Sequence, residues 1–591
     1  MGSDFDWQRL RLLLAAVSAV LALSSIAACA HDDPRRFRLH APVLRDQDLD
    51  PVAAPCRRDP SPKDPSRVTC APEDYESSFA WDAADNTLFR PISKFFQADA
   101  VGEAKNVNAF DEVPDSSWFV NRIGGAPMSP EQAARGYCPE GPELVSNPPD
   151  GAWLIDHGKD NGANPGFRVA ASGTKFMFKT DDDQVERATA ATAVASRLYY
   201  AAGWWAPCDA VVYFKRSALR LSPGLTVKAN VGPARPFDEQ ALDRVLAKTG
   251  RRGDLYRATA SRWLPGRPLG PFTYEGTRGD DPSDVIDHED RRDLRGARVI
   301  AAWLNHFDSR EQNTMSTWMP SAPKDPRSAG HVRHWYIDLG DCFGSEWTVD
   351  GFSKRHGHSY MLDFGYLAGD FATLGLVERP WDRAKRTPGA EIFGYFSSRA
   401  FEPDIWKGEY PNPAFARMTE RDAAWAARII ARLTPEHIAA AVRVGDFTNP
   451  AHDEFLTRVL VERRQILLRR YFSKLSPLAD VNADVTRVCA VDLARRHGVF
   501  DSRAFAYSAK VRRGRANSAF EQAALSVEDD GRVCVEVERR EASRLVDDAP
   551  ERYVVVAIAN GTGSGPLLLH LYDLGPARGL QLVGIERPTA S

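Results

Sequence analysis

The sequence predicts an α+β protein of two lobes followed by a small β-rich C-terminal domain, and three observations carry that expectation. Between Trp153 and Phe214 the pattern runs strand, strand, helix, strand; between His288 and Phe472 helical periodicity dominates; after Ser476 it gives way to short β-rich runs separated by Gly, Asp and Pro. The chain has 591 residues, 43% of them hydrophobic and 26% charged, which is ordinary for a globular protein and long enough for several domains.

At the N-terminus, Arg9 and Arg11 precede an uncharged apolar run from Leu12 to Ala28 that ends in Ile26-Ala27-Ala28-Cys29. This has the shape of an export signal, although Asp4 and Asp6 dilute its basic start. Small residues meeting a cysteine resemble a bacterial lipobox, which implies cleavage after residue 28 and lipidation of Cys29. Ala30, which is not an acid, by the same resemblance favours the outer membrane within the cell envelope. An ordinary signal peptide or a short anchor helix is the alternative. No other stretch approaches the roughly 20 apolar residues of a spanning helix. Residues 29–74, rich in Pro, Asp and Arg with weak apolar periodicity, read as a flexible tether.

A folded domain is expected over 75–475, with its small lobe at about 150–250 and its large lobe at about 251–475. Asn108 to Gly125 mixes aromatic anchors with turn residues and reads as a packed segment. Phe167 to Ser172, a corner at Gly173, and Lys175 to Thr180 predict a hairpin. On its second strand the period of two places Lys175, Met177 and Lys179 on one face and Phe176 and Phe178 on the other. Gln184 to Gly203, Ala-rich and ending in Gly, predicts a helix with Glu186 in its first turn, and Ala210 to Phe214 a strand. Gly158, Gly162 and Gly166 do not spell a phosphate-binding GxGxxG and read as a plain turn.

The helical pattern from His288 to Phe307 leads into AWLNHFDSREQN, and the strand-like HWYIDLGDCFGS follows. Asp308 stands five residues before Asn313, and Asp338 ends the apolar strand. Kinase-type phosphoryl transfer needs three such groups: a carboxylate near the nucleophile, and an amide and a second carboxylate on Mg²⁺. The spacing alone is weak, because an isolated D-x-x-x-x-N arises by chance; the helix before it and the strand ending in Asp338-Leu339-Gly340 sharpen it.

The ordered set FMFKT, an early helical glutamate, WLNHFDSREQN and YIDLG resembles the atypical protein-kinase-like superfamily of HipA-type, CotH-type and phosphatidylinositol-kinase-like proteins. With DEVPDSSWFVNR, YRATASRWLPG, GTRGDDPSD and HEDRRDLRG, the span from about Asn108 to Phe472 is similar to its secreted or lipid-anchored bacterial members. The resemblance implies a bilobal protein-kinase-like fold with ATP and Mg²⁺ in the cleft. It implies Lys179 on the nucleotide held by Glu186, Asp308 as the catalytic carboxylate, and Asn313 and Asp338 as metal ligands. The implied activity is phosphoryl or nucleotidyl transfer to a protein, lipid or small-molecule acceptor. Departures are His306-Phe307 before the catalytic aspartate, Leu339 after the metal aspartate, and the additional acid Asp341.

Because nucleotide is scarce outside the cytoplasm, an inactive scaffold with the same fold, binding an envelope partner, is the second expectation. A third is a metal hydrolase built from His288, Glu289, His306, Asp308, His331, His334 and Asp338, for which no HExxH-like spacing exists; His356 and His358 are weaker still. The formal net charge of −4 gives no basic field and argues against nucleic acid as a partner. Removing Cys29 from eight cysteines leaves seven, enough for three bridges. Cys56 with Cys70 and Cys489 with Cys534 are the most local pairs, and Cys342 is the candidate free thiol.

Overall fold

The computed structural model describes residues 43–58, 68–76, 79–96, 101–141, 143–159, 166–181, 184–227, 235–344, 350–376, 378–379, 381–514, 517–538 and 550–590. Cys29, the apolar run before it and Gly162 lie outside the described residues. The structure mixes helices and sheets, as expected for the α+β class.

A seven-stranded sheet contains β1 (Trp153–Lys159), β2 (Gly166–Ala171), β3 (Thr174–Lys179), β4 (Asp209–Phe214), β5 (Leu219–Leu221), β6 (Arg251–Arg252) and β7 (Leu255–Arg262). Its order is β6-β7-β3-β2-β1-β5, and β4 pairs with β7; the β1–β5 contact is parallel and the others are antiparallel. Ser172 and Gly173 both take positive φ in the two-residue turn between β2 and β3, the backbone that a tight hairpin requires. Phe176 and Phe178 are buried with Phe167, Val169 and Phe214, so the alternation read from FMFK holds. The helix α2 (Glu239–Lys248), capped by Asp238, seals that core with Leu242 and Leu246.

The helix α1 (Arg187–Ala202) is buried along nearly its whole length and joins the larger core through Ala190, Val194, Leu198 and Tyr199. Small side chains let it be covered on all sides, and Gly203 (φ 121°) ends it. Its start corrects the expected helical glutamate: Glu186 precedes the helix, in a left-handed conformation at φ 75°. Asp181 explains the shift. Its carboxylate accepts the backbone N–H groups of Glu186 (3.0 Å) and Thr189 (2.9 Å), so the chain loops before it winds.

The helix α3 (Arg292–Leu304) delivers the chain to Asp308. HEDRRDLRG anchors its start through fully buried arginines: Arg291 pairs with Asp46 (2.6 Å), Arg292 with Asp111 (2.6 Å) and Asp422 (3.1 Å), and Arg295 with Asp290 (2.5 Å). Removing one partner from such a buried set costs about 3–5 kcal/mol, because the other is left charged and dry. The helices α4 (Glu420–Ile430) and α6 (Pro450–Phe472) pack on α3, while α5 (Pro435–Arg443) packs on α6 and α1; they contribute Trp425, Leu460 and Ile438 to the same core. Beside them lies a three-stranded antiparallel sheet of β8 (Arg267–Gly270), β9 (Thr314–Pro320) and β10 (Gly330–Tyr336).

Between residues 478 and 586, a four-stranded and a five-stranded antiparallel sheet share one core that includes Val488, Val535, Val556 and Leu569. Disulfides join Cys56 to Cys70, Cys138 to Cys208, and Cys489 to Cys534; Cys342 is free and buried. Part of the expected tether is packed instead. Asp46 and Asp48 are buried, Asp48 takes the hydroxyl of Ser117 (2.6 Å), and Val52 bridges to Gly330. The buried Arg291 guanidinium lies 2.6 Å from Asp46 and 3.5 Å from Asp48, a contact that the composition of the segment did not reveal.

Candidate active site

The C-terminal residue of β3 is Lys179, whose Nζ lies 2.6 Å from Oδ1 of Asp338. Lys175, on the same face, pairs instead with Asp156 (3.4 Å) and is half exposed. The structure thus separates two lysines that the period of two had left equivalent. A second acid near Lys179 is Asp209 on β4, fully buried. Burial raises its carboxyl to about 6, against the lowering influence of Ser261, Arg197 and Lys179.

Asp338 follows β10 in a left-handed conformation (φ 55°), which turns the chain at once into the short 3-10 turn Leu339–Asp341. Gly340 faces α1: a Cβ there would stand 3.1 Å from Thr192 Oγ1 and 3.4 Å from the Ala188 carbonyl. The close approach of this turn to α1 therefore fixes where Asp338 sits relative to β3.

At the end of α3, Asn305 adopts a left-handed backbone and accepts the indole N–H of Trp406 (2.9 Å). The loop that follows closes on itself, because Asn313 Nδ2 donates to the Asp308 carbonyl (2.8 Å), while the Asn313 carbonyl accepts Ile337 N–H (3.0 Å) next to Asp338. Asp341 accepts the Asp308 backbone N–H (2.7 Å). These bonds gather Asp308, Asn313, Asp338 and Lys179 into one site. Asp338 and the amide oxygen of Asn313 are oxygen donors of the kind a hard divalent cation such as Mg²⁺ takes.

Glu186 does not join them as expected. Its carboxylate accepts the Thr448 backbone N–H (3.0 Å) and hydroxyl and lies 3.9 Å from Arg252, while the Lys179 ion pair is with Asp338. The helix that was to carry Glu186 begins one residue too late, and α6's approach segment captures the side chain.

Sequence reasoning missed two acids beside Asp308. Glu409 is buried, its backbone N–H donates to the Phe307 carbonyl (2.7 Å), and Arg310 bridges it to Asp308 at 3.3 Å and 2.8 Å. Burial and then the neighbouring Asp308 carboxylate push the Glu409 carboxyl up to about 10, so it is protonated at neutral pH. Asp82, from the segment before the expected packed region, is raised to about 6 by burial. No local spacing links residues 82, 308 and 409. Asp341, the additional acid after the strand, is also pushed up by burial and by Asp308.

The seven-residue hydrolase cluster does not assemble. His288 bonds Asp284 (2.8 Å) and the Thr273 carbonyl (2.6 Å), His334 stacks on Trp118 with centroids 3.4 Å apart, and His306 bonds the Tyr199 hydroxyl (2.8 Å). Burial lowers His306 to about 3 and His331 to about 4, which keeps both neutral. His356 stacks on Phe307 and His358 on Trp381, both as packing.

No protein-family model matches the chain, and no curated protein sequence does. Among solved structures, the crystal structure of a Helicobacter pylori proinflammatory kinase, CtkA, is similar over 54% of this chain and 94% of its own, at 12% identity and a TM-score of 0.29. That likeness is weak.

Proposed function

We propose that the protein is a kinase-like phosphotransferase of the bacterial cell envelope, anchored through a lipid on Cys29 and using Mg-ATP for phosphoryl or nucleotidyl transfer. The observation that carries the reading is the 2.6 Å contact between Lys179 and Asp338, residues from two distant segments, in a site that also holds Asn313 and Asp308. ATP with Mg²⁺, when bound, supplies the group to be transferred and the cation that screens its charge. Lys179 binds phosphate oxygens once its ammonium is released from Asp338, and Asn313 and Asp338 hold the metal. Asp308 orients the acceptor hydroxyl and takes its proton. Arg310 fixes one oxygen of that carboxylate, and Asp341 fixes its backbone.

A second reading has a specific observation in its favour. Asp308 is clamped by Arg310 beside a protonated Glu409, and Lys179 lacks the expected glutamate partner. A nucleotide-binding scaffold without turnover would tolerate both. Incubation of wild type, Asp308→Asn and Asp338→Ala with labelled ATP and envelope extract separates the two. Label transfer abolished in both variants supports the enzyme; no transfer by a wild type that binds nucleotide supports the scaffold.

A further inference from the structure

Two helical segments flank the Asp308 site, and both turn apolar side chains outward. The first spans residues 79–96 as Phe79–Ala84, the wider π-helical turn Asp85–Phe89, and Arg90–Phe96. It is an inside-out amphipathic segment. Asp82 (2% exposed) and Asn86 face inward, where Arg90 reaches Glu311 of the Asp308 loop (2.8 Å), while Trp81 (56% exposed), Leu88, Phe89 and Ile92 face solvent. The second is Phe364–Thr373, ten residues with none buried. It is attached to the segment that carries Glu409, where Met361 N–H donates to the Glu409 carbonyl (2.8 Å) and Lys407 pairs with Asp363 (2.6 Å). Phe371 and Leu374 are each 85% exposed and Leu376 83%.

A water-facing surface selects against such residues when they cluster, and here two clusters adjoin one acidic site. We infer that these helices seat the mouth of the site on a lipid bilayer, so that the acceptor presented to Asp308 is a hydroxyl at the membrane surface. The acceptor clause rests on the phosphotransferase reading; the docking does not. A bilayer is favoured over a protein groove because the exposed apolar side chains are divided between two separate helices, which suits a fluid apolar phase that needs no complementary shape. The chain outside the structure agrees. An apolar run ends at Ala28, and Cys29 precedes exposed Val43 by 14 residues, a reach of at most about 50 Å, so an anchored body remains beside its membrane.

The test uses the full-length protein reconstituted in phosphatidylethanolamine–phosphatidylglycerol vesicles that contain a lipid with a photoactivatable diazirine in its acyl chain. Cross-linked peptides are then mapped by mass spectrometry. The proposal expects lipid adducts in 79–96 and 362–376 as well as at the anchor. It also expects a fall of about tenfold at the second segment in Phe371→Ser/Leu374→Ser, with anchor adducts unchanged. Adducts at the anchor alone overturn it, as do protein–protein cross-links at these helices in a parallel sample treated with a bifunctional protein cross-linker, which would mean a second copy or another protein covers them. Mg-ATP binding measured on the same vesicles separates the readings: adducts without nucleotide binding leave the docking standing and remove the phosphotransferase, and nucleotide binding without adducts does the reverse.

Discussion

Replacing Glu409 by glutamine should make the protein more resistant to alkaline pH. Glu409 is held protonated up to about 10, whereas in the unfolded chain it ionises near the ordinary value of 4.5. A carboxyl whose folded value is raised contributes fully only below its unfolded value, and stability drains away as pH rises towards the folded value. Each pH unit above 4.5 costs about 1.4 kcal/mol, so the penalty at pH 7 is about 3 kcal/mol. Glutamine keeps the shape and a donor for Asp308 but has no proton to lose. The melting temperatures of wild type and Glu409→Gln should therefore nearly coincide at pH 5 and separate by several degrees at pH 8, the variant being the higher. Parallel pH profiles would refute the claim that Glu409 is a neutral acid beside Asp308. A variant that loses stability at pH 8 would show that a Glu409 carboxylate, paired with Arg310, is the native form.

The two lysines of β3 should behave differently in nucleotide binding measured by calorimetry: Lys175→Ala leaves affinity unchanged, and Lys179→Ala weakens it at least tenfold. Gly340→Ala should push the Asp338 turn away from Thr192 and Ala188, costing about 1–3 kcal/mol in denaturant unfolding and weakening nucleotide binding with it. Asp48, raised to about 7 mainly by burial, holds the N-terminal segment most firmly at acid pH. Limited proteolysis near residue 50 should accelerate between pH 5 and 8 in wild type, and Asp48→Asn should flatten that dependence.

Much of the site's framework was legible because it depends on short-range pattern. Alternation in FMFK placed Phe176 and Phe178 inward, the Asp308–Asn313 interval marked a loop that bonds to itself, and a strand does precede Asp338, although it stops at Tyr336, two residues short of the expected end. What the sequence hid depends on long-range approach. Glu186 looked like a first-turn acid until Asp181 was seen to cap the helix and Thr448 to claim its carboxylate. Glu409 and Asp82 join the site from about 100 and 226 residues away, with no spacing to announce them. Asp46 and Asp48 looked like tether residues because composition does not record that Arg291 is buried opposite them. The helices α2 and α5 are short amphipathic segments whose apolar positions become evident only once Leu242 and Ile438 are seen in their cores.

The central claim is that Lys179, Asn313 and Asp338 form a metal-dependent nucleotide site. Calorimetric titration of ATP into the wild-type protein and Asp338→Ala, each with Mg²⁺ and with a chelator, tests it most directly. The account predicts saturable binding that requires both Mg²⁺ and Asp338, with both proteins melting cooperatively. Absence of binding to a well-folded wild type, or binding indifferent to the metal and to Asp338, would contradict it.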